Sequence, residues 1–442
     1  MPHAIAPWAP RLHHAPRLHH AQRSRRQPGA PEDATVSTQL GTARSGLFAE
    51  PDFRRLWGVG LVVFTVRWLE TLAVGLFVLD ATGSAFVVTM MTMLRLLPMG
   101  MLGAFIGVWA ERIEPRAALV GILGASLLTS LVLALLAQAG LLAVWHLAVA
   151  SFINGVGWAA DNPVRRMTIG RVAGAARMGR AMSVDVGTNN ASRMLGPTLG
   201  GLIFATAGIA GAFALAVLLY AAALLAVCRL QVGRTPAQAT AQGVFARIAE
   251  GLALVRRDRR LRGTLVVTVI FNLFGWPFTS LVPVIGQTTL HLTPEVIGLL
   301  ASMDGVGAFC GALVIATRVR PAGYAGCYVG GVALYLAMLT LFALAPGPLP
   351  AGVALLLVGI GGAGFSIMQA TLVYLAAPPE LRSRVLGLLS VCIGVGPIGF
   401  VHLGLLADAI GAPQACVVSG LEGLLALALT RPLWRHIQGG TP

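Results

Sequence analysis

The sequence contains no lysine. All 32 of its basic side chains are arginine, a bias that fits GC-rich coding and has no chemical meaning of its own. Charge of either sign is scarce: charged residues are 11% of the 442 positions, against about 25% in a typical soluble chain. Too little polar surface is left to cover such a chain in water, which excludes a soluble enzyme, a disordered protein and a nucleic-acid-binding domain. Cysteine is sparse as well. The five present, Cys228, Cys310, Cys327, Cys392 and Cys416, all fall in apolar stretches and form no CxxC pair. An odd set of this kind is neither a disulfide framework nor a metal site. No Walker loop, HExxH or GxSxG occurs, so ATP-driven transport and the common hydrolases lack their machinery, and neither a cofactor nor an enzymatic activity is expected. Gly359-Ile-Gly361-Gly-Ala-Gly364 fits GxGxxG, but it lies in an apolar run with no strand before it and is read as helix-packing glycine.

Long apolar runs are what the chain does have. Hydrophobic residues are 56% of the sequence and the mean hydropathy is +0.78. A helix crosses the hydrocarbon core with roughly 20 mainly apolar residues. Twelve such runs appear, near 56–79, 85–109, 117–138, 141–160, 183–206, 209–229, 263–285, 294–316, 323–344, 349–376, 385–406 and 412–431. Arginine placement checks the count through the positive-inside rule. Loops on one side, taken alternately from the N-terminus, hold 29 of the 32 arginines; the opposite loops hold none. Arg67, Arg95 and Arg193 lie inside spans. The fold class is therefore an all-α polytopic membrane protein with both termini cytoplasmic.

The segment 230–262 divides the spans into six and six, giving an N-terminal bundle at 51–229 and a C-terminal bundle at 263–431. Within the segment, Val244, Ile248, Leu252 and Val255 recur at helical spacing, which predicts an amphipathic linker helix on the cytoplasmic face. Residues 1–50 form a basic tail rich in His and Pro, in which Ala9–His14 repeats directly as Ala15–His20. Five of the nine histidines sit there, a composition open to metal binding, but a plain disordered tail is the expectation. Translated upstream sequence, with Val36 as the true start, is a further reading. Residues 432–442 form a second cytoplasmic tail.

The two halves share landmarks. Gly103-Ala-Phe-Ile-Gly107 ends the second span and Gly307-Ala-Phe-Cys-Gly311 ends the eighth; Gly196-Pro197 in the fifth span is matched by Gly396-Pro397 in the eleventh. Two landmarks in the same order indicate a duplicated six-helix unit. Small residues four apart permit close helix approach, and Gly-Pro pairs loosen a helix. From Gly103 to Arg116 the chain resembles the loop motif of the major facilitator superfamily. Arg193-Met-Leu-Gly196-Pro197-Thr-Leu-Gly200-Gly201, Ala81-Thr-Gly-Ser84 and Pro378-Pro-Glu-Leu-Arg382-Ser-Arg384-Val385 are similar to its exporter branch, particularly the group containing enterobactin exporters. The sequence departs from the pattern in having Glu111 and Glu114 where Asp and a turn Gly are usual, and Ile315 and Ala316 where the second half would repeat the charged pair. Phe152 and Ile153 continue the fourth span where many proton-coupled exporters keep an Arg.

The resemblance implies a secondary transporter of the bacterial inner membrane, working by alternating access between two pseudo-symmetric bundles. It implies proton-coupled efflux of a small organic molecule, a drug, siderophore or other metabolite. Glu111 and Arg112 would latch the cytoplasmic gate. The partners expected are the lipid bilayer, a small-molecule substrate and protons, with no nucleic acid and a monomeric state. An uptake permease of the same fold is the alternative, followed by a membrane sensor or enzyme without flux.

Charges inside spans cost about 2.5–3.5 kcal/mol each on insertion scales and normally face a cavity or a partner. Arg67 and Glu70, three apart, share a helix face and are expected to pair. Asp185, Asn189 and Arg193 are spaced by four as one polar stripe, while Arg95 and Asp304 stand alone in their spans. These seven residues are the candidate cavity wall. Glu70 and Asp304 are its exchangeable carboxylates, and the arginines would attract an anionic group or tune a carboxylate; static ion pairing is the plainer reading. Asp161 and Asp185 also admit an interfacial reading. His146 and His402 are read as packing residues.

Overall fold

The computed structural model describes residues 46–232, 252–378 and 381–437, apart from the side chains of 103–112, Ala175 and 383–384. Pro51, whose fixed φ suits a first helical turn, opens α1 (Pro51–Thr82), and the left-handed Gly83 at φ 66° closes it. Ser84 starts α2 (Ala85–Arg112), its hydroxyl accepting the Val87 N–H. α3 (Pro115–Gln138) and α4 (Val144–Ala173) follow. At the start of α4, the Ala143 N–H donates to His146 Nδ1, so this histidine caps a helix. The next helical stretch, Met178–Cys228, has 51 residues and is broken at Gly208, where φ is 62°. A straight helix of that length would be about 75 Å long, far beyond one crossing. Gly208, the residue type that adopts positive φ without strain, therefore separates α5 (178–207) from α6 (209–228).

The seventh span, α7 (259–288), is not a regular helix. Arg259–Ile270 is α-helical, Phe271–Gly275 is a π turn, Trp276–Ser280 is 3₁₀ and Val282–Thr288 is α-helical again. Pro277 and Pro283 cannot donate to the helix ladder, and irregular turns of this kind are frequent at functional positions. α8 (Pro294–Arg318), α9 (Tyr324–Ala343) and α10 (Pro348–Ala376) are continuous, α11 comprises Arg382–Ile393 and Gly396–Ile410, and α12 is Ala412–Leu429. The molecule is thus an all-helical, polytopic membrane protein. Among the described residues, ten stretches are long and apolar enough to cross a membrane, with Met178–Cys228 counted once. α4 is not among them because His146, Asn154, Asp161 and three arginines dilute it, yet its 30 residues reach about 45 Å. Leucines such as Leu128, Leu218, Leu349 and Leu429 are exposed, which suits contact with lipid.

Glycine brings helices together where a side chain would not fit. A Cβ on Gly298 of α8 would stand 2.5 Å from the Pro197 carbonyl oxygen of α5 and 3.1 Å from the Gly201 Cα. Gly100 of α2 meets Gly394 in the turn that breaks α11, and Gly307 and Gly311 pack on α10 at Leu356 and Ile360. Gly196 and Gly200 seat α5 on α1 against Thr65, Trp68 and Leu69. The two Gly-Pro pairs differ in effect: Pro197 lies inside a continuous helix, whereas Gly396-Pro397 restarts α11 after its break.

Several hydrogen bonds join α1–α6 to α7–α12. Ser84 Oγ donates to Asp408 Oδ2 at 3.0 Å, the Phe86 N–H donates to Asp408 Oδ1 at 3.0 Å, and Gln287 Nε2 donates to Asp80 Oδ1 at 2.5 Å. Thr198 and Ser302 share a hydroxyl hydrogen bond of 2.7 Å. These contacts lie toward the helix ends whose loops hold no arginine.

One expectation is corrected. Arg165 belongs to α4 and not to a loop, and it is completely buried; the polar stretch after residue 160 lowers hydropathy without ending the helix. The apolar run near 385–406 is present as one stretch, Val385–Ile410, with a turn between its two helices before Gly396. Of the expected linker helix, 252–257 is helical, while Val244 and Ile248 lie outside the described residues. So do the histidine-rich tail and the side chains of Gly103, Gly107, Glu111 and Arg112.

Candidate functional site

A cavity lies at the centre of the helices. α1 contributes Arg67, Trp68, Thr71, Leu72 and Gly75, a spacing that places all five on one helix face. α2 adds Thr92 and Arg95, α4 adds Trp158, and α5 adds Arg193 and Pro197. The irregular part of α7 turns Trp276, Phe278, Thr279 and Ser280 toward the same space, and α8 supplies Ala301 and Asp304. Most of the wall is apolar and aromatic, with a few convergent charges, as in small-molecule sites generally.

Glu70 is not part of this wall. At 100° per residue it points about 130° away from the centre of the α1 cavity face. It is 2% exposed and joins four helices. It accepts from Arg95 Nη2 of α2 at 3.0 Å, Ser130 Oγ of α3 at 3.0 Å and Asn154 Nδ2 of α4 at 3.3 Å. Arg95 stands between Glu70 and the cavity, donating also to Thr71 Oγ1 at 2.9 Å and the Arg67 carbonyl at 3.3 Å. The expected Arg67–Glu70 pair is therefore corrected to Arg95–Glu70. Three donors from neighbouring helices occupy the carboxylate, and local spacing cannot compete with them.

Arg67 goes elsewhere. Its guanidinium carbon lies 4.4 Å from the centre of the Trp158 ring and 4.9 Å from that of Phe64. Its Nη2 is buried with no hydrogen-bond partner. Desolvated cation–π contacts are worth about 2 kcal/mol, comparable to the insertion cost of one arginine of about 2.5–3.5 kcal/mol.

Arg193 and Asp304, read as separate from one another, form an ion pair: Arg193 Nη2 donates to Asp304 Oδ2. The pair bridges α5 and α8 at the cavity, with Arg193 also over the Trp68 ring at 5.3 Å. Arg193 Nε and Asp304 Oδ1 are buried without partners.

The expected stripe of Asp185, Asn189 and Arg193 does not act as one unit. Asp185 lies eight residues, about 12 Å, along α5 from Arg193 and is held in a second charge cluster. Arg165 Nε donates to both Asp161 oxygens at 3.1 and 3.3 Å, Arg165 Nη1 donates to Asp185 Oδ1, and Arg166 Nε donates to Asp185 Oδ2 at 3.2 Å. Asp161 and Asp185 are both buried within the protein. Asn189 is half-buried and is not among the cavity-lining residues. His402 is also more than packing: its Nε2 lies 2.7 Å from Glu422 Oε2 across α11 and α12.

Sequence reasoning missed Arg165, the tryptophans and the Ser130–Asn154 support of Glu70. The four-residue spacing of Asp161 and Arg165 was a usable signal; the others had none, because their partners are distant in sequence.

The family model described as a transmembrane secretion effector matches residues 44–435. Macrolide efflux protein A of Streptococcus pyogenes is 22% identical over 398 residues, covering 87% of this chain and 96% of that protein. Multidrug efflux pump Tap of Mycolicibacterium fortuitum is 28% identical over 392 residues, covering 83% and 90%. Among solved structures, a POT family transporter superposes with a TM-score of 0.73 at 13% identity, over 87% of this chain and 96% of that one.

Proposed function

Because the chain belongs to the transmembrane secretion effector family of major facilitator transporters, we propose that it exports a small organic molecule through the central cavity by alternating access, driven by protons. The bundles 51–229 and 263–431 would rock about this cavity as a monomer in the bacterial inner membrane. Both termini would lie in the cytoplasm, a reading supported by the arginine distribution under the positive-inside rule. The contacts of Asp80, Asp408 and Thr198 with the opposite set of helices would then hold the outer side together, leaving the inner side as the way in.

The observation that carries the reading is the Arg193–Asp304 bridge, an ion pair that faces the cavity and ties α5 to α8. Protonation of Asp304 would neutralise it, weaken its hold on Arg193 and let α5 and α8 separate. Buried ionisable residues in membrane helices commonly mark such relays. Glu70, enclosed behind Arg95, would take a proton only when Arg95 moves, and so would follow Asp304.

Everted membrane vesicles with an imposed acid interior test this reading. A set of fluorescent amphiphiles of either charge is expected to include members that accumulate in vesicles holding the protein and collapse the pH gradient as they do so. Accumulation that ignores the gradient would remove proton coupling. Flux only in the opposite direction would make the protein an uptake permease.

A further inference from the structure

The charges around the cavity are matched with one exception. Glu70 has Arg95, Asp304 has Arg193, and Asp161 and Asp185 share Arg165 and Arg166. Asp161 lines a small recess beside Arg67, but Arg165 Nε already engages both of its oxygens. Arg67 is left with aromatic ring faces on two sides, a buried Nη2 without a partner, and no carboxylate within ion-pair distance among the described residues. Its position is on the cavity wall, beside Trp68 and Trp158, and Trp276 lines the same space.

A cation kept in a low-dielectric site without a counter-ion is a strong anion receptor, and a guanidinium offers paired donors that match a carboxylate, sulfonate or phosphate. We propose that Arg67 receives an acidic group of the substrate, and that this cavity takes amphiphilic organic anions whose aromatic or aliphatic body lies against Trp68, Trp158 and Trp276. The inference rests on the central cavity being the transport path. It separates Arg67 from Arg95 and Arg193, whose guanidiniums are already engaged by protein carboxylates.

Calorimetric titration of the purified full-length protein with three probes sharing one ring system tests it: 2-naphthoate, its methyl ester and 2-naphthylmethylammonium. Naphthoate is expected to bind at least about tenfold more tightly than either relative. Arg67→Gln is expected to erase that preference, and Arg67→Lys to retain part of it. Equal or tighter binding of the ester or the ammonium compound overturns the proposal, as does an unchanged preference in Arg67→Gln or no binding by any probe. The wild-type comparison stands alone if Arg67→Gln fails to fold. Gradient-driven vesicle flux of neutral or cationic compounds, with no preference for anions, would overturn the substrate class and leave the transport reading in place.

Discussion

Replacing Arg165 with alanine is expected to lower the thermal midpoint of the purified protein by roughly 10 °C, or to prevent its accumulation in the membrane. Arg165 is completely buried. It engages Asp161 through Nε and Asp185 through Nη1, and its guanidinium carbon lies 4.5 Å from the centre of the Phe64 ring. Removing one partner from a buried ion pair costs about 3–5 kcal/mol, because the remaining charge is stranded. Two carboxylates would be stranded here, with only the half-exposed Arg166 to compensate one of them. Each kcal/mol moves the midpoint of a large domain by about 2–4 °C. Arg165→Lys is expected to recover little, since a single ammonium does not reproduce the directed donors that reach both acids. Neutralising the acids together with the arginine, as Arg165→Gln with Asp161→Asn and Asp185→Asn, is expected to recover more. A midpoint for Arg165→Ala within about 2 °C of the wild type would show that this cluster is not what holds α4 to α5.

The second large effect is expected at Asp304. Asp304→Asn removes the acid that bridges α8 to α5 and strands Arg193 at the cavity wall. With no acid there to take the proton, proton-driven flux is expected to fall to the level of vesicles lacking the protein, while the stranded Arg193 lowers stability by about 3 kcal/mol or more. Asp304→Glu keeps the charge and is expected to retain measurable flux. Arg193→Gln combined with Asp304→Asn replaces the ion pair by two neutral groups able to share a hydrogen bond. The double variant is expected to recover thermal stability without recovering proton coupling. A stable Asp304→Asn protein with full gradient-driven flux would take Asp304 out of the scheme.

Glu70→Gln is expected to disturb both roles at once. An amide still hydrogen-bonds Ser130 and Asn154 but no longer neutralises Arg95, so the loss falls on the four-helix junction around Glu70 as well as on coupling.

The fold was legible because its signals are local and repeated. Apolar runs of span length, arginine confined to alternate loops, and glycine motifs recurring at the same place in each half all report on one helix or one loop at a time. The irregular α7 and the break in α11 were less visible, since Pro277 and Gly396-Pro397 mark weakened helix without saying what replaces it. The site was legible by residue type and not by pairing. Arg67, Arg95, Arg193 and Asp304 stand out in the sequence as charges within spans, and all four line the cavity. Their partners were not recoverable, because Arg95 meets Glu70 across 25 residues and Arg193 meets Asp304 across 111. Arg67 and Glu70 show why spacing alone misleads: three apart on one helix, they lie on opposite sides of the boundary between cavity and helix junction. Arg165 was hidden because hydropathy stops counting a helix when it turns polar, even where tertiary packing buries the polar end.

One passage that opens to each side of the membrane in turn is the claim on which the rest depends. Thr92, which lines the cavity, provides the most direct test as a single cysteine, Thr92→Cys, in a protein whose five native cysteines have been replaced. A membrane-impermeant thiol reagent is applied separately to right-side-out and everted vesicles. Labelling is expected from both sides, with a shift in their ratio when the pH gradient is reversed and protection when a transported amphiphile is present. Labelling from one side alone under every gradient, or from neither, would contradict the account.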